Sequence, residues 1–488
     1  MTIEPVRASA QLWPDPRRVV ARAFMPGEWA TVWGPTRLQT VLDRVLAIPD
    51  DAVPDLLTAA LAEFGYRHRH LERVLRQRAA HVLDRAHHPV DLSDDLRLLI
   101  GAYFTNEYAL EASALTNPSM VPHPDGSPGR FVLSLRAIGE GHISSIEFRT
   151  GQIGADGAIT LDPPSPFCTL GQRRPPLYDR ALFGIKLREL GADPGLVSRV
   201  LEGLDERFTL AAIEEAISNL YDHELSAAVL HETARMTHWL ASSNYIVSFD
   251  PATDLSERAL FPAGSGESAG MEDARFVRFD DAGSPTYYAT YTAYDGFEIL
   301  PQLIETADFT EFRIATLNGP AARNKGMAVF PRKLDGHYAA LARQDRESIY
   351  FMTSDNVRFW NDHELVYQPQ QPWELVQTGN CGSPIETSEG WLVLTHGVGA
   401  MRRYALGALL LDRGDPTRVL GYLREPLLEP EPGERDGYVP NVVYSCGGMV
   451  HDGTLVVPYG FADVGCGFAL YDLEALLSAF AEAPSTRS

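Results

Sequence analysis

Two carboxylates and an arginine stand together at the start of an apolar segment, GMEDARF. In an extended strand Asp273 and Arg275 share one face, while Glu272 points to the other. A neighbouring arginine lowers the pKa of an aspartate and burial raises it, so the motif leaves open whether Asp273 can act as an acid. Taken alone, it is also compatible with a surface ion pair at a strand start.

Comparable polar sets recur in four other segments of similar pattern. They are Asn117 in TNPSMV with Arg136 in SLRAIGEGH, Lys325 in RNKGM with Arg343 in ALARQD, His396 in THGVG with Arg403 and Tyr404 in RRYALG, and Asn441 in PNVVYSCG with Asp463 in GFADVG. One polar cluster per segment is hard to obtain by chance, so the segments are predicted to build one shared site.

The chain uses arginine almost everywhere, and its only lysines are Lys186, Lys325 and Lys333. Lysine provides a compact charge, which suits phosphate, whereas arginine provides a planar fork. Lys325 is therefore a phosphate-binding candidate, with a solvated turn lysine as the alternative. Lys333 lies next to a turn and is predicted to be solvated.

Other chemistries lack support in the sequence. HETAR at 231–235 lacks the second histidine of the zinc motif HExxH, and His68, His70, His87 and His88 are predicted to lie on polar helix surfaces. The Gly-rich segments match no phosphate-binding loop, and no GxSxG elbow occurs. We therefore expect no metal and no organic cofactor.

Composition excludes several classes of partner. The 488 residues carry a formal net charge of −23, which disfavours nucleic acid and anionic membranes because such binding depends on cations. The first residues lack the apolar core of a secretory signal and no segment is apolar enough to span a membrane, so a cytoplasmic location is predicted. Cys168, Cys381, Cys446 and Cys466 form no CxxC pair and are predicted to be small buried side chains.

Helical periodicity occurs in two regions. The first runs from about Thr36 to Asn106, with Asp51 and Ser93 as expected N-caps, and the second from about Phe208 to Leu240. The Pro-rich passage DPPSPFCTLGQRRPP before the second region is predicted to lack regular structure.

The rest of the chain reads as short strands separated by turns. The turn glycines Gly283, Gly336, Gly390 and Gly453 are 53, 54 and 63 residues apart. A unit that recurs at about 50 residues is typical of a propeller blade. One small sheet cannot bury both of its faces alone, so it needs similar sheets packed on either side. We predict a mainly β fold: an α-helical N-terminal domain at 1–110 and a five-bladed β-propeller at 111–480. A helical insertion at about 176–240 would separate blades 1 and 2.

The motifs NPSMV, SLRA, YTAYDG, FPRKLDGHY, GSPIET with GWLVLTHGVG, RYALGALLLD and GYVPNVVYSCGGMV occur in this order with the acidic segment at 272–275. Together they resemble glycoside hydrolase family 130, the β-mannoside phosphorylases and β-mannosidases, from about Glu111 to Leu477. The helical first hundred residues are similar to the longer members of that family.

The resemblance implies a five-bladed propeller that cleaves a β-mannosidic bond with inversion. Most members use inorganic phosphate as co-substrate and form α-mannose 1-phosphate. Asp273 matches the catalytic acid, which protonates the glycosidic oxygen through a sugar hydroxyl. The predicted substrate-binding residues are Asn117, Arg136, Glu272, Arg275, Asp295, Asn441 and Asp463. The predicted phosphate-binding residues are Lys325, Arg343, His396, Arg403 and Tyr404, with Arg323 as the competing choice for Lys325.

Two departures from the family pattern bear on the reaction. Ala274 replaces the usual proline of the EDPR motif, and Gln377 stands where phosphorylases commonly carry a lysine. The second change favours an inverting β-mannosidase, for which Glu386 is a possible base, whereas the retained cations favour phosphorolysis. An inverting displacement needs an acid on one side and a nucleophile on the other, and phosphate needs several donors to hold it. We therefore predict a phosphorylase, with the mannosidase and a non-catalytic sugar-binding propeller as alternatives.

The predicted partners are a β-mannoside oligosaccharide and phosphate. The sequence leaves open the linkage and the acceptor sugar, which depend on loops at the channel mouth. The helical domain could join chains into a homo-oligomer or cover one edge of the active site.

Overall fold

The chain forms two compact units in a computed structural model that describes residues 3–26, 36–88, 91–220, 227–281, 283 and 285–482. The β unit consists of Met1–Pro14, Ser113–Pro164 and Gly171–Ser488. The helical unit consists of Asp15–Ala112 and Ser165–Leu170.

The helical elements lie in two stretches of the sequence, apart from a short helix near its end. Within the described residues, the α-helices are α1 (Arg37–Leu46), α2 (Val53–Phe64), α3 (Leu71–Arg85), α4 (Asp94–Tyr103), α5 (Arg180–Glu189), α6 (Pro194–Leu201), α7 (Leu210–Leu220), α8 (Ala227–Ser242) and α9 (Leu473–Ser478). None of these described helices combines the length and apolar character that a membrane crossing requires.

The caps of two helices were predicted from the sequence, one of them correctly. The Ser93 side chain accepts a hydrogen bond from Leu96 N at 3.2 Å and caps α4, as predicted. Asp51 was the wrong choice for α2, whose N-cap is Ala52 without a side-chain bond. Pro54 lies in the first turn of α2, where its missing N–H would have no helical partner.

The described strands are mostly short. They are β1 (Val6–Arg7), β2 (Val19–Ala23), β3 (Thr105–Ala109), β4 (Ala114–Pro122), β5 (Arg130–Ile138), β6 (Ser144–Ile153), β7 (Ile159–Leu161), β8 (Thr169–Leu170), β9 (Gln172–Arg174), β10 (Tyr178–Asp179), β11 (Arg207–Phe208), β12 (Tyr245–Ser248), β13 (Arg258–Leu260), β14 (Gly270–Phe279), β15 (Thr286–Tyr294), β16 (Ile299–Thr306), β17 (Glu311–Thr316), β18 (Ala328–Val329), β19 (Tyr338–Ala342), β20 (Ile349–Ser354), β21 (Glu364–Tyr367), β22 (Gln377–Asn380), β23 (Ile385–Glu386), β24 (Trp391–Val398), β25 (Tyr404–Leu411), β26 (Val419–Tyr422), β27 (Val443–Tyr444), β28 (Met449–His451), β29 (Thr454–Phe461), β30 (Gly465–Asp472) and β31 (Ala481–Glu482).

Two details of the predicted organisation differ from the structure. Residues up to Pro14 belong to the β unit and not to the helical one, because Val6 and Arg7 pair with Leu470 and Ala469 of β30. The Pro-rich passage does contain two short strands, β8 and β9, of which β9 pairs with β12 at the edge of a sheet. Part of the second helical region, 221–226, lies outside the described residues.

Five sets of antiparallel strands follow one another in the β unit. They are β4–β6, β14–β17, β18–β21, β22–β26 and β27–β30. The predicted turn glycines Gly336, Gly390 and Gly453 lie between paired strands with φ of 86°, 149° and 78°, a region that only glycine enters freely. Gly283 lies between β14 and β15.

Each set packs against the next, and the fifth packs against the first. Five buried apolar clusters join them, containing for example Phe148 with Phe276, Phe279 with Ala340, Phe330 with Trp391, Leu394 with Val457, and Phe131 with Phe468. The fifth and first sets are also joined by a hydrogen bond from Cys446 N to Pro118 O at 2.8 Å. This arrangement brings the ends of strands that are distant in sequence close together.

Arg7 fixes the short strand β1 to the fifth set. It contacts Glu431 at 2.6 Å and Glu434 at 2.8 Å, and it donates to Tyr459 Oη at 2.6 Å. Arg7→Ala would leave the buried Glu434 carboxylate without its cation, so we expect a loss of about 3 kcal/mol in the free energy of unfolding, measured with urea.

Arg418→Ala is the matched control. Its side chain is 69% exposed and lies 3.7 Å from Asp412, so we expect a change below about 0.5 kcal/mol. Equal effects of the two variants would contradict a structural role for Arg7.

Candidate active site

Asp273 lies at a β-bulge, where the pairing of β14 shifts between Glu272 and Arg275. Asn117 lies at a second bulge in β4, and its Nδ2 donates a hydrogen bond to Asp273 Oδ1. Both residues adopt left-handed backbone conformations, with φ of 54° and 51°. The bulge breaks the regular alternation, so the expectation that Asp273 and Glu272 point to opposite faces is wrong.

Glu272 connects cations from two other sets. Its Oε1 accepts from Arg136 Nη2 at 2.6 Å, and its Oε2 accepts from Lys325 Nζ at 2.5 Å. Glu272 is 9% exposed, so the two cations compensate a largely buried carboxylate. The bridge links Arg136, predicted to bind the mannoside, to Lys325, predicted to bind phosphate.

Arg275 supports Asp273 from within the protein. The residue is 2% exposed, and it donates to Cys381 O at 2.8 Å, to Asp273 O at 3.0 Å and to Tyr444 Oη at 2.7 Å. Its Nη2 also lies 3.9 Å from Asp273 Oδ2. Arg275 was predicted to bind substrate, but these contacts assign its donors to protein groups.

The surrounding charges determine the ionisation of Asp273. Burial raises the pKa of this carboxyl, but Arg275, Arg136 and Lys325, together with the hydrogen bond from Asn117, outweigh burial and lower it below its usual range. In the ligand-free protein Asp273 is therefore a carboxylate near neutral pH.

Arg343 and His396 form a hydrogen-bonded pair of one cation and one neutral imidazole. Arg343 Nη1 donates to His396 Nε2 at 3.1 Å, which requires a neutral imidazole with its proton on Nδ1. Burial, and then the charges of Arg343 and Arg275, lower the pKa of His396 well below its usual value. The His396 ring lies 4.9 Å from the Tyr444 ring and 6.3 Å from the Tyr404 ring.

The fifth set contributes Asn441 and Asp463, again with left-handed φ values of 61° and 50°. Asn441 Oδ1 accepts from Arg435 Nε at 2.7 Å, and Asn441 O accepts from Tyr404 N at 3.0 Å. Burial raises the pKa of Asp463, and although Arg136 opposes this shift, the Asp273 charge adds to it. The two aspartates thus have pKa values displaced in opposite directions.

Three candidates are not part of this network. Asp295 Oδ1 accepts from Phe297 N and Glu298 N at 2.8 and 2.7 Å, so the carboxylate caps its own turn. Arg403 is 47% exposed and pairs with Glu429 at 3.1 Å. Arg323, the alternative to Lys325, has an exposed side chain.

Arg402, the residue before Arg403, interacts with two residues of the site. Its guanidinium lies 6.0 Å from the Tyr404 ring, and its charge lowers the pKa of Asp463 against the effect of burial. The turn at 400–402, which precedes β25, contains two residues with positive φ, Met401 and Arg402.

Sequence reasoning missed Tyr444 as well as Arg402. Tyr444 accepts from Arg275 and packs against His396, so it connects the two sides of the site. Its position in the motif NVVYSCGG, three residues after Asn441, was the available signal.

Glu386, the possible base of a hydrolase, lies elsewhere. It accepts hydrogen bonds from Arg332 at 2.7 Å and Arg413 at 3.0 Å. Glu386 pairs with Trp391 of β24. Trp391 and His396 are five residues apart in this strand, a separation of roughly 16 Å at the usual rise per residue.

Comparison with known proteins places these residues in a family. Residues 247–482 match the family profile described as β-1,4-mannooligosaccharide phosphorylase. A 1,2-β-oligomannan phosphorylase of Thermoanaerobacter sp. is 32% identical over 304 residues, which are 59% of this chain and 98% of that protein. The chain belongs to glycoside hydrolase family 130. A second family 130 relative, the β-1,2-mannobiose phosphorylase of Listeria innocua, is 34% identical over 225 residues, 44% of this chain and 62% of its own length.

A solved structure of the Listeria innocua β-1,2-mannobiose phosphorylase with β-1,2-mannobiose is also similar to this family 130 chain. It has a TM-score of 0.46 at 23% identity and covers 76% of this chain and 92% of its own.

The environment of His396 predicts a pH dependence of stability. A histidine whose pKa is lowered in the folded state takes up a proton more readily when the protein is unfolded. The contribution of His396 to the free energy of unfolding is therefore fully present above about pH 6.5, the ordinary pKa of histidine, and it decreases as the pH falls below that value. We expect ¹⁵N spectra of the folded protein at pH 6 to show a neutral Nδ1–H imidazole, assigned by its loss in His396→Asn. An imidazolium pattern at that pH would contradict the Arg343 hydrogen bond.

Proposed function

We propose that this family 130 protein is an inverting β-mannoside phosphorylase. The observation that carries the proposal is that the strand sets around Asp273 provide two cations, Lys325 and Arg343, and the neutral imidazole of His396, whereas Glu386 is bound to Arg332 elsewhere. Several donors can hold a phosphate dianion there, whereas a hydrolase needs a carboxylate base in that position. The phosphorylase names of both relatives support it.

The roles of the residues follow from this proposal. Asp273 acts as the acid that protonates the glycosidic oxygen through a sugar hydroxyl. Asn117, Arg136 and Asp463 hold the mannosyl unit, and Glu272 fixes Arg136 and Lys325. The phosphate-binding residues are Lys325, Arg343, His396 and Tyr404. Inorganic phosphate is a co-substrate, and the proposal includes no other cofactor.

To act as an acid, Asp273 must carry a proton, but the charges around it favour the carboxylate. Arg275, Arg136 and Lys325 lower the pKa of Asp273. A phosphate dianion beside Lys325 adds negative charge and offsets these cations, which raises the pKa of Asp273 again. Phosphate would therefore supply the nucleophile and also favour the protonated acid.

The β unit, in this proposal, is a five-bladed propeller whose blades are the five strand sets. The apolar clusters between successive sets, and between the fifth and the first, support a closed ring. A cytoplasmic location belongs to the same proposal, because a phosphorylated sugar product is retained inside a cell.

The first substrates to test are β-1,2-linked mannosides, since the names of both relatives refer to β-1,2 linkages. We expect β-1,2-mannobiose to be cleaved only when phosphate is present, with α-mannose 1-phosphate detected by ³¹P and ¹H NMR. The β-1,3- and β-1,4-mannobioses serve as linkage controls. Release of free mannose at the same rate without phosphate would identify a β-mannosidase instead.

The acid assignment is tested by replacing each aspartate of the site. We expect Asp273→Asn to lower kcat by about 10²–10⁴-fold, as is typical for loss of general acid catalysis. Because the pKa of Asp463 is raised, Asp463→Asn is the necessary comparison, and we expect its main effect on the KM for the mannoside. A loss of kcat in Asp463→Asn with activity retained in Asp273→Asn would transfer the acid role to Asp463.

The phosphate assignment is tested with the two lysines of the β18–β19 region. Lys325→Ala should raise the KM for phosphate about 10- to 100-fold, because a hydrogen bond to a charged group is lost. Lys333→Ala is the matched control, since Lys333 pairs with Asp281 at 2.7 Å on the surface. A phosphate KM unchanged in Lys325→Ala would remove this residue from the phosphate site.

A further inference from the structure

An exposed aromatic stack lies at the end of the strands that carry the site. The rings of His142 and Tyr438 have centroids 5.7 Å apart and planes inclined by 25°. Tyr438 is 61% exposed, and His142 is exposed as well. Large apolar rings that remain in contact with water are a feature of binding surfaces.

The stack lies next to the residues proposed to bind the mannoside. His142 follows Arg136 by six residues, in the turn that leaves β5. Tyr438 precedes Asn441 by three residues, and the adjacent Val439 N donates to Ala462 O at 3.0 Å. Ala462 is the residue before Asp463, so the stack joins the first and fifth sets where their site residues emerge.

The turn that presents His142 is held in an uncommon conformation. His142 has φ of 60°, and hydrogen bonds from Gly139 N to Ile143 O at 3.0 Å and from His142 N to Gly139 O at 3.2 Å close the turn. Non-glycine residues with such φ values are costly and cluster at ligand sites. The fourth set has a similar turn at 399–403, where Met401 is 93% exposed.

Burial distinguishes this surface from the mannosyl pocket. Asn117 is 7% exposed and the Asp463 carboxyl is largely buried, so the sugar they hold is enclosed. The phosphate side, with Arg343 and His396, belongs to the third and fourth sets. The stack, in contrast, is exposed and belongs to the first and fifth sets. Of the parts of the substrates, the sugar that leaves on cleavage is therefore the one that the stack can contact.

We propose that His142 and Tyr438 form a stacking platform for the mannosyl residue on the acceptor side of the cleaved bond. The C–H face of a pyranose ring packs on an aromatic face, while the imidazole and phenol edges provide polar atoms for its hydroxyls. The inference rests on the proposed function and deepens it, because it assigns the acceptor-binding residues.

The experiment uses the full chain and measures the reverse, synthetic reaction. In that reaction the donor and the acceptor are separate molecules, so the two sugar sites can be tested separately. With α-mannose 1-phosphate as donor and mannose or β-1,2-mannobiose as acceptor, Tyr438→Ala should raise the KM for the acceptor about five- to tenfold, the order expected for loss of an aromatic stacking contact. The KM for α-mannose 1-phosphate should change less than twofold. An unchanged acceptor KM, or equal increases in both KM values, would overturn the platform.

Two variants control for general effects. Tyr438→Phe retains the stacking ring and loses only the phenol oxygen, so it should raise the acceptor KM less than Tyr438→Ala does. Tyr66→Ala removes a tyrosine that is 74% exposed in the helical unit and should change neither KM. His142→Ala reports on the second ring and is expected to raise the acceptor KM in the same way, with thermal unfolding verifying that each variant is folded.

Failure of the proposed function has a different signature. If the wild type cleaves β-mannosides without phosphate, the phosphorylase proposal fails, and the platform is then judged from the KM for hydrolysis of β-1,2-mannotriose. A Tyr438→Ala increase of about fivefold in that KM would still support the platform, whereas an unchanged value would reject it.

Discussion

The structure depends on keeping several cations close together inside an acidic protein. Arg136, Arg275 and Lys325 would repel one another in a buried site, and the carboxylates of Glu272 and Asp273 hold them there. Removing Glu272 would leave Arg136 and Lys325 without their shared carboxylate, which is more costly than losing a surface ion pair. The net charge of −23 makes this concentration of cations necessary, because the protein as a whole repels phosphate.

The backbone is adapted to the same network. Asn117, Asp273, Asn441 and Asp463 all have left-handed φ values, a conformation that asparagine and aspartate accept more easily than other non-glycine residues. Each such residue costs stability and persists only where its surroundings fix it. The apolar clusters between strand sets provide that rigidity. Four of the positions with positive φ therefore belong to residues of the site, while others, such as the buried Phe309, lie outside it.

The charge arrangement also distinguishes two reactions that the sequence left open. Gln377 removes one expected cation, yet Lys325 remains beside Glu272 and Arg343 beside a neutral His396, and these two cations favour an anionic nucleophile. Glu386 is neutralised by arginines at the other end of β24. In the proposed reaction phosphate also completes the charge balance of the site, because its negative charge favours the proton on Asp273. Binding and acid catalysis would then be coupled by electrostatics alone.

The sequence by itself determined the mainly β character of the chain, the helical segments, the family, and several of the residues that meet around Asp273, because turn glycines, periodicity and motifs are local signals. The five-bladed ring remains a proposal supported by contacts between sets. Only the tertiary structure showed that Arg403 pairs with Glu429, while the charge of its neighbour Arg402 lowers the pKa of Asp463. It also assigned Asp295 to its own turn and revealed Tyr444 between Arg275 and His396. Such assignments depend on bulges, turn geometry and contacts between residues more than a hundred positions apart, which no local pattern encodes.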